Sequence, residues 1–339
     1  MKIRKFIYLV FLLFFTLPFI YGGCTVYFSS GNYPEKKPEN DQPPAEIAGG
    51  PQQAFINPDN AEKLAAGALL ASLNNAAPQC GDQDQSTDFK SSGAFRPLRL
   101  TQALGDSLRS IKFSVPPLAL DNESVQTEIG DFRGNCGGAL SYALWLNSFT
   151  GVFSGDLSYN DYCDNGVVFN GDADVEGSYD LDASVYLSAY FYLEHFGDGT
   201  IALDAEISID FSDSPTLVTF NGLATYIASG QRHRLNSYSL NIFELSGYRE
   251  IEVFGSYFHP DHGHVNISTP EPFIVHHEDQ WPTSGKLVIT GDQNTRAELE
   301  TLAFGLYVIE TDADGNGATD QISEIRDWSV IGIDMPICP

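Results

Sequence analysis

Oxygen-bearing side chains crowd most closely into one short stretch near the end of the chain, Asp312-Ala313-Asp314-Gly315-Asn316-Gly317-Ala318-Thr319-Asp320. Counted from Asp312, a carboxylate or an amide stands at positions one, three, five and nine, and glycine at six. Calcium takes six to eight oxygens, and a loop delivers them at this spacing when its sixth residue turns sharply. The expected ligands are therefore Asp312, Asp314, Asn316, the carbonyl of Ala318, and Asp320. Position twelve holds Ser323, and Glu324 comes one place late, so a bidentate carboxylate is missing there. The site expected is weak, about 10⁻⁴–10⁻³ M, which suits an extracellular module. A plain turn accounts for the same glycines, which supply positive φ while the acids stay solvated. Crowding three aspartates on one loop, however, costs stability unless a cation sits among them.

That spacing resembles the first part of an EF-hand-type calcium loop, with no helix evident on either side. The second cluster that suggests a metal is His259, His262 and His264, with His276 and His277 further on. Imidazoles are good zinc or copper ligands. Pro260-Asp261-His262-Gly263 is also good turn chemistry, and in such a hairpin His259 and His264 would be cross-strand neighbours with His262 at the tip. No acidic or cysteine ligand completes a familiar set.

Acidic pairs are everywhere, including Asp172, Asp174, Glu176, Asp180 and Asp182. A glycosidase needs two carboxylates across a cleft, one with a raised pKa, and 45 acids offer no unique pair. The chain has no Gly-x-Ser-x-Gly, HExxH, P-loop or dinucleotide fingerprint. Aromatic residues abound, among them Tyr186, Tyr190, Phe191 and Tyr192, and Trp145, Trp281 and Trp328. A carbohydrate-binding face uses such residues, and so does an ordinary β core.

The elements that position these groups are mostly strands. In 200–211 (TIALDAEISIDF), Ile201, Leu203, Ala205, Ile207, Ile209 and Phe211 share one face, and Asp204, Glu206, Ser208 and Asp210 the other. Period-two alternation predicts a sheet with one dry and one wet, carboxylate-rich face, which antiparallel sheets tolerate. Strands are expected at 139–146, 151–159, 166–170, 200–211, 217–227, 237–245, 250–259, 264–269, 286–290, 297–309 and 321–333. The stretch 174–196 reads as two strands or one long bent strand. Asn-Gly at 165, 170 and 221 and Gly-Asp-Gly at 197–199 read as turns between them. The fold class expected is mainly β: a large antiparallel meander forming a curved open sheet or a barrel. Val-x-Phe-Asn-Gly occurs in both GVVFNGDADVEGSYDLD and TLVTFNGLATYIASG, a faint echo about fifty residues apart.

One or two short helices precede the sheet. Asn57 is placed to cap a helix with Pro58 at its first position and Asp59 and Glu62 in its first turn. Leu64, Ala68 and Leu69 recur at helical spacing, and Asn74–Asn75 end the pattern. A second helix is expected over 97–111, with Gly105 as a weak point. Both would pack on, or plug, the dry side of the sheet.

The chain opens with MKIRK and an apolar run at 6–20, too short for a span of about 20 residues and flanked as a secretory signal is. Gly22 and Gly23 then precede Cys24. This arrangement resembles the lipobox of bacterial lipoproteins, which implies lipidation of Cys24 and, with Thr25 next, the outer membrane. Tyr21 departs from the aliphatic residue usual three places before the cysteine. Residues 29–53 are rich in Pro, Gly, Glu and Asn and read as a disordered tether. From Cys24 on, 15 basic residues face 45 acidic ones, which excludes nucleic acid as a partner because the basic patch it needs is absent. Four further cysteines in an exported chain read as two disulfides with three possible connectivities. Cys136 and Cys163 bracket a short run of hairpins and are expected to pair, leaving Cys80 with Cys338.

Taken with the NAEKLAAGAL helix, Cys136 and Cys163, HPDHGHVN, PTSGKLVITG and DADGNGATD, the chain resembles uncharacterised β-rich lipoproteins of Gram-negative bacteria, over roughly residues 55–330. That resemblance brings no established activity. The layout expected is a signal peptide at 1–23, an anchor and tether at 24–54, a helical and loop segment at 55–135, and a β domain at 136–339. The function expected is non-enzymatic: an outer-membrane-anchored lipoprotein with a structural, adhesive, or ligand- or lipid-binding role. Its partners would be the membrane, through the N-terminal lipid, and an apolar ligand or envelope component. The rival is a surface polysaccharide hydrolase using paired carboxylates.

Overall fold

The computed structural model describes residues 52–70, 97–113, 125–164, 167–199, 201–212, 215–276, 279 and 281–328. The leader, Cys24, residues 29–51 of the tether, Cys80 and Cys338 lie outside the described residues, and so does the predicted end of the first helix at Asn74–Asn75. The last two residues expected in the disordered tether are instead ordered against the sheet: the His264 N–H donates to the Gln52 carbonyl at 3.2 Å, and Gln53 bridges His264.

Among the described residues the sheet is a meander of fifteen strands, the first fourteen in sequence order. Its first part comprises β1 (Val125–Gly134), β2 (Gly137–Asn147), β3 (Val152–Asp164), β4 (Val167–Asp180) and β5 (Val185–Gly197). The middle comprises β6 (Ile201–Asp210), β7 (Thr216–Tyr226), β8 (Arg232–Leu245), β9 (Tyr248–His259) and β10 (Gly263–His276). β11 (Ser284–Thr290), β12 (Arg296–Leu302) and β13 (Leu306–Asp312) follow, and the short β14 (Gln321–Ile322) and β15 (Arg326–Asp327) both pair with β13. All pairings between these strands are antiparallel, and β1 does not meet the last strands, so the sheet is open and not a barrel.

The strand 201–210 shows why this sequence makes such a sheet. Ile201, Leu203, Ala205, Ile207 and Ile209 are buried, while Asp204, Glu206 and Ser208 are exposed. Ile207 pairs with Phe191 on one side and Phe220 on the other, so the dry row continues across the neighbouring strands. Hydrophobic burial along these rows is the main stabilising term, at about 25 cal/mol per Å² of apolar surface.

Two helices lie on that dry face, α1 (Ala61–Leu70) and α2 (Pro97–Ser110). The start of α1 follows the predicted cap: the Asn57 carbonyl accepts the Ala61 N–H at 2.9 Å. Its side-chain oxygen accepts the N–H groups of Asp59 and Asn60 at 3.0 and 3.2 Å. Leu64, Ala65, Ala68 and Leu69 of α1 and Leu100, Leu104 and Leu108 of α2 are buried in one core with the sheet. Buried hydroxyls fix the helices further: Tyr238 donates to the Ala68 carbonyl at 2.9 Å, and Ser107 meets Tyr159 at 2.8 Å. Gly105 is a contact point and not a break, since a Cβ there would lie 3.3 Å from the Phe211 ring.

Several expectations need correction. The sheet begins at Val125, inside the segment read as helix and loop (55–135). The outward side chains of β1 are exposed and its inward ones only half-buried, so VQTEIGDFRG lacks the apolar alternation that marks a strand. Residues 167–170 and the start of 174–196 belong to one strand, β4, and the break falls at 181–184. The stretch 297–309 divides into β12 and β13 at Ala303–Gly305, where Phe304 and Gly305 both take positive φ.

Asn170-Gly171 and Asn221-Gly222 are not turns. Each lies inside a strand, at a register shift in the pairing with a neighbour. The bulged residues Asp161 on β3 and Ser237 on β8 have φ of 47°. Asn170 accepts the Asp161 N–H at 2.8 Å, and Asn221 accepts the Ser237 N–H at 2.6 Å. Asp204 does the same for His195, the bulged residue of β5, at 3.0 Å. The Val-x-Phe-Asn-Gly echo is thus one structural device used twice: a side-chain acceptor for an amide that a bulge removes from the ladder.

Candidate metal centre

Asp312 ends β13, which pairs with β12 through Arg296 opposite Asp312, so a rigid strand delivers the first carboxylate. The following loop folds back on it. Asp312 Oδ1 accepts the N–H of Gly315 at 2.8 Å and of Asn316 at 3.2 Å, and Oδ2 accepts that of Gly317 at 2.8 Å. Gly315 and Gly317 take φ of +71° and +88°, where a side chain would be strained. At Gly315 a Cβ would also collide with the Gln293 carbonyl. The loop therefore packs against the 3₁₀ turn Asp292–Asn294, which is itself tied to the Ala54 carbonyl through the Asp292 N–H at 2.7 Å.

At the far end, Asp320 N–H donates to the Thr311 carbonyl at 2.8 Å, and Asp320 Oδ2 accepts the Ala313 N–H at 2.8 Å. The result gathers one carboxylate oxygen each from Asp312, Asp314 and Asp320, all within 4.8 Å of one another; Asp312 is buried and the other two are exposed. Oxygens on one calcium ion at about 2.4 Å stand no more than about 4.8 Å apart, so this donor set, all oxygen, fits such an ion. Of the two remaining expected ligands, the Asn316 side chain is engaged within the loop. Asn316 Oδ1 accepts the Ala318 N–H at 2.7 Å, and its Nδ2 donates to Asp314 at 2.9 Å. Sequence reasoning passed over Glu310, whose Oε2 accepts the Thr319 hydroxyl at 2.9 Å and steadies the loop.

The histidines arrange differently from the expected hairpin. His259 pairs with Gly263 and His264 with Phe258. The turn thus spans three residues, 260–262, and the odd count moves His264 to the wet face, where its ring lies 5.1 Å from that of Phe258. His259 points to the dry face beside His233 of β8, with ring centroids 5.4 Å apart, and the tilted ring of His262 lies 4.5 Å from that of His259. His233 Nδ1 lies 2.7 Å from the Tyr257 hydroxyl, and His259 Nδ1 accepts the Asp261 N–H at 3.1 Å. Burial pushes both imidazoles down to about 4, and neighbouring His233, His262 and Lys63 add to the effect at His259 against Asp261. His233 and His259 thus pair in the core, and among the described residues the histidines do not gather into a group of three ligands.

Cys136 and Cys163 form the expected disulfide, with Cα atoms 5.1 Å apart, joining the β1–β2 turn to β3. A cleft between α1 and the last strands holds Glu62, Glu324 and Arg326. Glu62 accepts the Tyr307 hydroxyl at 2.5 Å and an ion pair from Arg326. Bonded to both Tyr307 and Arg326, Glu62 holds the helix to the sheet.

The wet face carries a regular grid. Asp156, Asp174, Tyr192 and Glu206 lie in register across β3 to β6, as do Ser154, Glu176, Tyr190 and Ser208 in the next row. Trp145 of β2 continues the second row beyond Ser154. Tyr190 is pushed up to about 12 by burial, by its hydrogen bond to Glu206 and by nearby Glu176, and remains a neutral donor.

Compared with known protein families, with curated proteins and with solved structures, the chain matches none.

Proposed function

We propose that this chain is a non-enzymatic module of the cell envelope, held by a lipid on Cys24, fastened at its C-terminal end by calcium, and acting through its solvent-facing sheet. The observation that carries the reading is the convergence of Asp312, Asp314 and Asp320 oxygens within 4.8 Å at the end of a sheet strand. Calcium would be held by those carboxylates, and its charge would offset their mutual repulsion. Because the ion would bind the folded loop only, it stabilises the fold by mass action. The dry face is filled by α1 and α2, which favours a structural or adhesive role on the outer surface over carriage of a lipid inside. The engagement of Glu62 by Tyr307 and Arg326 weighs against the polysaccharide hydrolase at that cleft.

Calorimetric titration of calcium into the mature protein tests the metal. We expect one site of about 10⁻⁴–10⁻³ M, with magnesium weaker because it demands a tighter octahedron. No heat at millimolar calcium would remove the metal from the account. Fractionation with intact mass tests the anchor. Membrane-bound protein carrying acyl chains on Cys24 is expected, since stable attachment takes more than one chain. A soluble product without acyl mass would refute it.

A further inference from the structure

The two halves of the sheet treat charge differently. From Gly134 to Gln231, spanning all of β2 to β7, the chain has fourteen Asp and Glu and no Lys or Arg. In the later strands the acids are met by bases from the same sheet. Lys286 lies 3.0 Å from Glu298, 3.3 Å from Glu300 and 3.8 Å from Glu271, and Arg249 lies 3.3 Å from Glu244. In β2 to β7 the ion pair found among the described residues is His195 with Asp204, at 3.6 Å. A surface made acidic only for solubility has no reason to segregate its bases in this way. A surface shaped for a cationic partner does, because internal bases would compete with it.

The arrangement of the acids fits the same partner. Asp172, Asp174 and Glu176 are successive outward residues of β4, each about 6.8 Å from the next along an extended strand. Across the pairing with β5 they stand opposite Glu194, Tyr192 and Tyr190. An extended polypeptide presents alternate side chains at that same interval on one face. Tyr192 is 46 % exposed and Trp145 38 % exposed, and aromatic faces beside carboxylates attract guanidinium and ammonium groups.

We propose that the wet face of β2 to β6 is a docking surface for an extended basic segment of a partner protein, with Lys or Arg at alternate residues. Asp172, Glu176, Glu194 and Glu206 receive its charges, and Tyr192 and Trp145 its cationic heads. The proposal supplies the partner chemistry for the envelope-binding role above. It fails separately, since calcium binding and lipidation do not depend on it.

The test uses the mature protein in calcium-containing buffer and a synthetic octapeptide of alternating Arg and Ser. A Glu-Ser octapeptide and cellohexaose serve as the anionic and the neutral ligands. Fluorescence anisotropy should show binding of the Arg-Ser peptide that weakens at least tenfold between 50 and 300 mM salt. Asp172→Asn with Glu176→Gln should weaken it at least tenfold, and Tyr192→Ala at least threefold with no change in charge. Glu244→Gln with Glu271→Gln, an equal charge change on the later strands, should alter it less than twofold. Hydrogen exchange of the wild type should slow on β4 and β5 when the peptide is bound, a readout that needs no variant. An equal loss in the Glu244/Glu271 control overturns the proposal in favour of a diffuse field. Binding of cellohexaose with none of the Arg-Ser peptide overturns it in favour of a glycan surface. Unchanged affinity in the Asp172/Glu176 variant, or unchanged exchange on β4 and β5, also overturns it.

Discussion

The N–H of Asp161 donates to the side-chain oxygen of Asn170 at 2.8 Å, and Asn170 Nδ2 returns a bond to the Asp161 carboxylate at 3.0 Å. A bulge that places Asp161 at positive φ would otherwise leave its amide outside the ladder. The same relation joins Asn221 to Ser237. Asn221→Ala should therefore cost about 1–2 kcal/mol, the range for an amide left without its partner. Asn221→Asp, which keeps the acceptor, should cost less. Urea midpoints of the two variants check this, and equal losses would show that the acceptor is not what matters.

Gly67 of α1 faces the buried ring of Tyr257. A Cβ at that position would collide with the Tyr257 oxygen and lie 2.7 Å from a ring carbon. Alanine normally stabilises a helix interior relative to glycine, but here it forces the helix away from β9. Gly67→Ala should lower stability by about 1–3 kcal/mol, as overpacking does. A rise in melting temperature would mean that α1 is less closely seated than the geometry shows.

The His233–His259 pair makes stability depend on pH. Both imidazoles are pushed from 6.5 down to about 4 in the folded chain. Between those values the unfolded chain binds more protons than the folded one, so stability falls as pH drops from about 6.5 toward 4. The titratable neighbours of His259 include Asp261, His262 and Lys63, and of these Asp261 alone opposes the shift. Replacing His233 and His259 by Gln should flatten the decline between about pH 6.5 and about pH 4.5, measured by urea unfolding. An unchanged slope would assign the acid sensitivity to other groups.

The Cys136–Cys163 bridge closes a separation of 27 residues across β2 and β3. Its loss in Cys136→Ser with Cys163→Ser should cost about 2–4 kcal/mol. Hydrogen exchange should show the loosening in β1 and β2 before the central strands. Uniform loosening would mean that the bridge does not act locally.

The sheet was legible wherever one face is wet. Period two in 201–210 marked both the strand and its buried side, and hydrophobic alternation located most of the other strands. It missed β1, whose edge position leaves its outward residues exposed and its inward ones only half-buried, so no apolar rhythm is selected. Asn-Gly misled because the dipeptide serves a bulge as well as a turn, and only the register with the neighbouring strand separates the two. The His259 register failed by one residue for a similar reason: a three-residue turn and a two-residue turn look alike in Pro-Asp-His-Gly. The aspartate loop was legible as a spacing, and its three carboxylates do converge. The supporting contacts were not, since the Gln293 carbonyl against Gly315 and the Glu310 carboxylate under Thr319 come from parts of the fold that spacing does not reveal. The charge asymmetry is legible in the sequence as the absence of Lys and Arg between Gly134 and Gln231.

The central claim is that calcium fastens the loop that Asp312, Asp314 and Asp320 form. Thermal melts of the mature protein in 5 mM calcium and in chelator, for the wild type and for Asp314→Ala, address it most directly. At about ten times a dissociation constant near 5 × 10⁻⁴ M, binding adds about 1.4 kcal/mol, enough to raise the wild-type midpoint by a degree or more. Asp314 is exposed, so its replacement should leave the chelated melt near that of the wild type and abolish the rise. Identical wild-type melts with calcium and with chelator would contradict the account and leave the loop a turn.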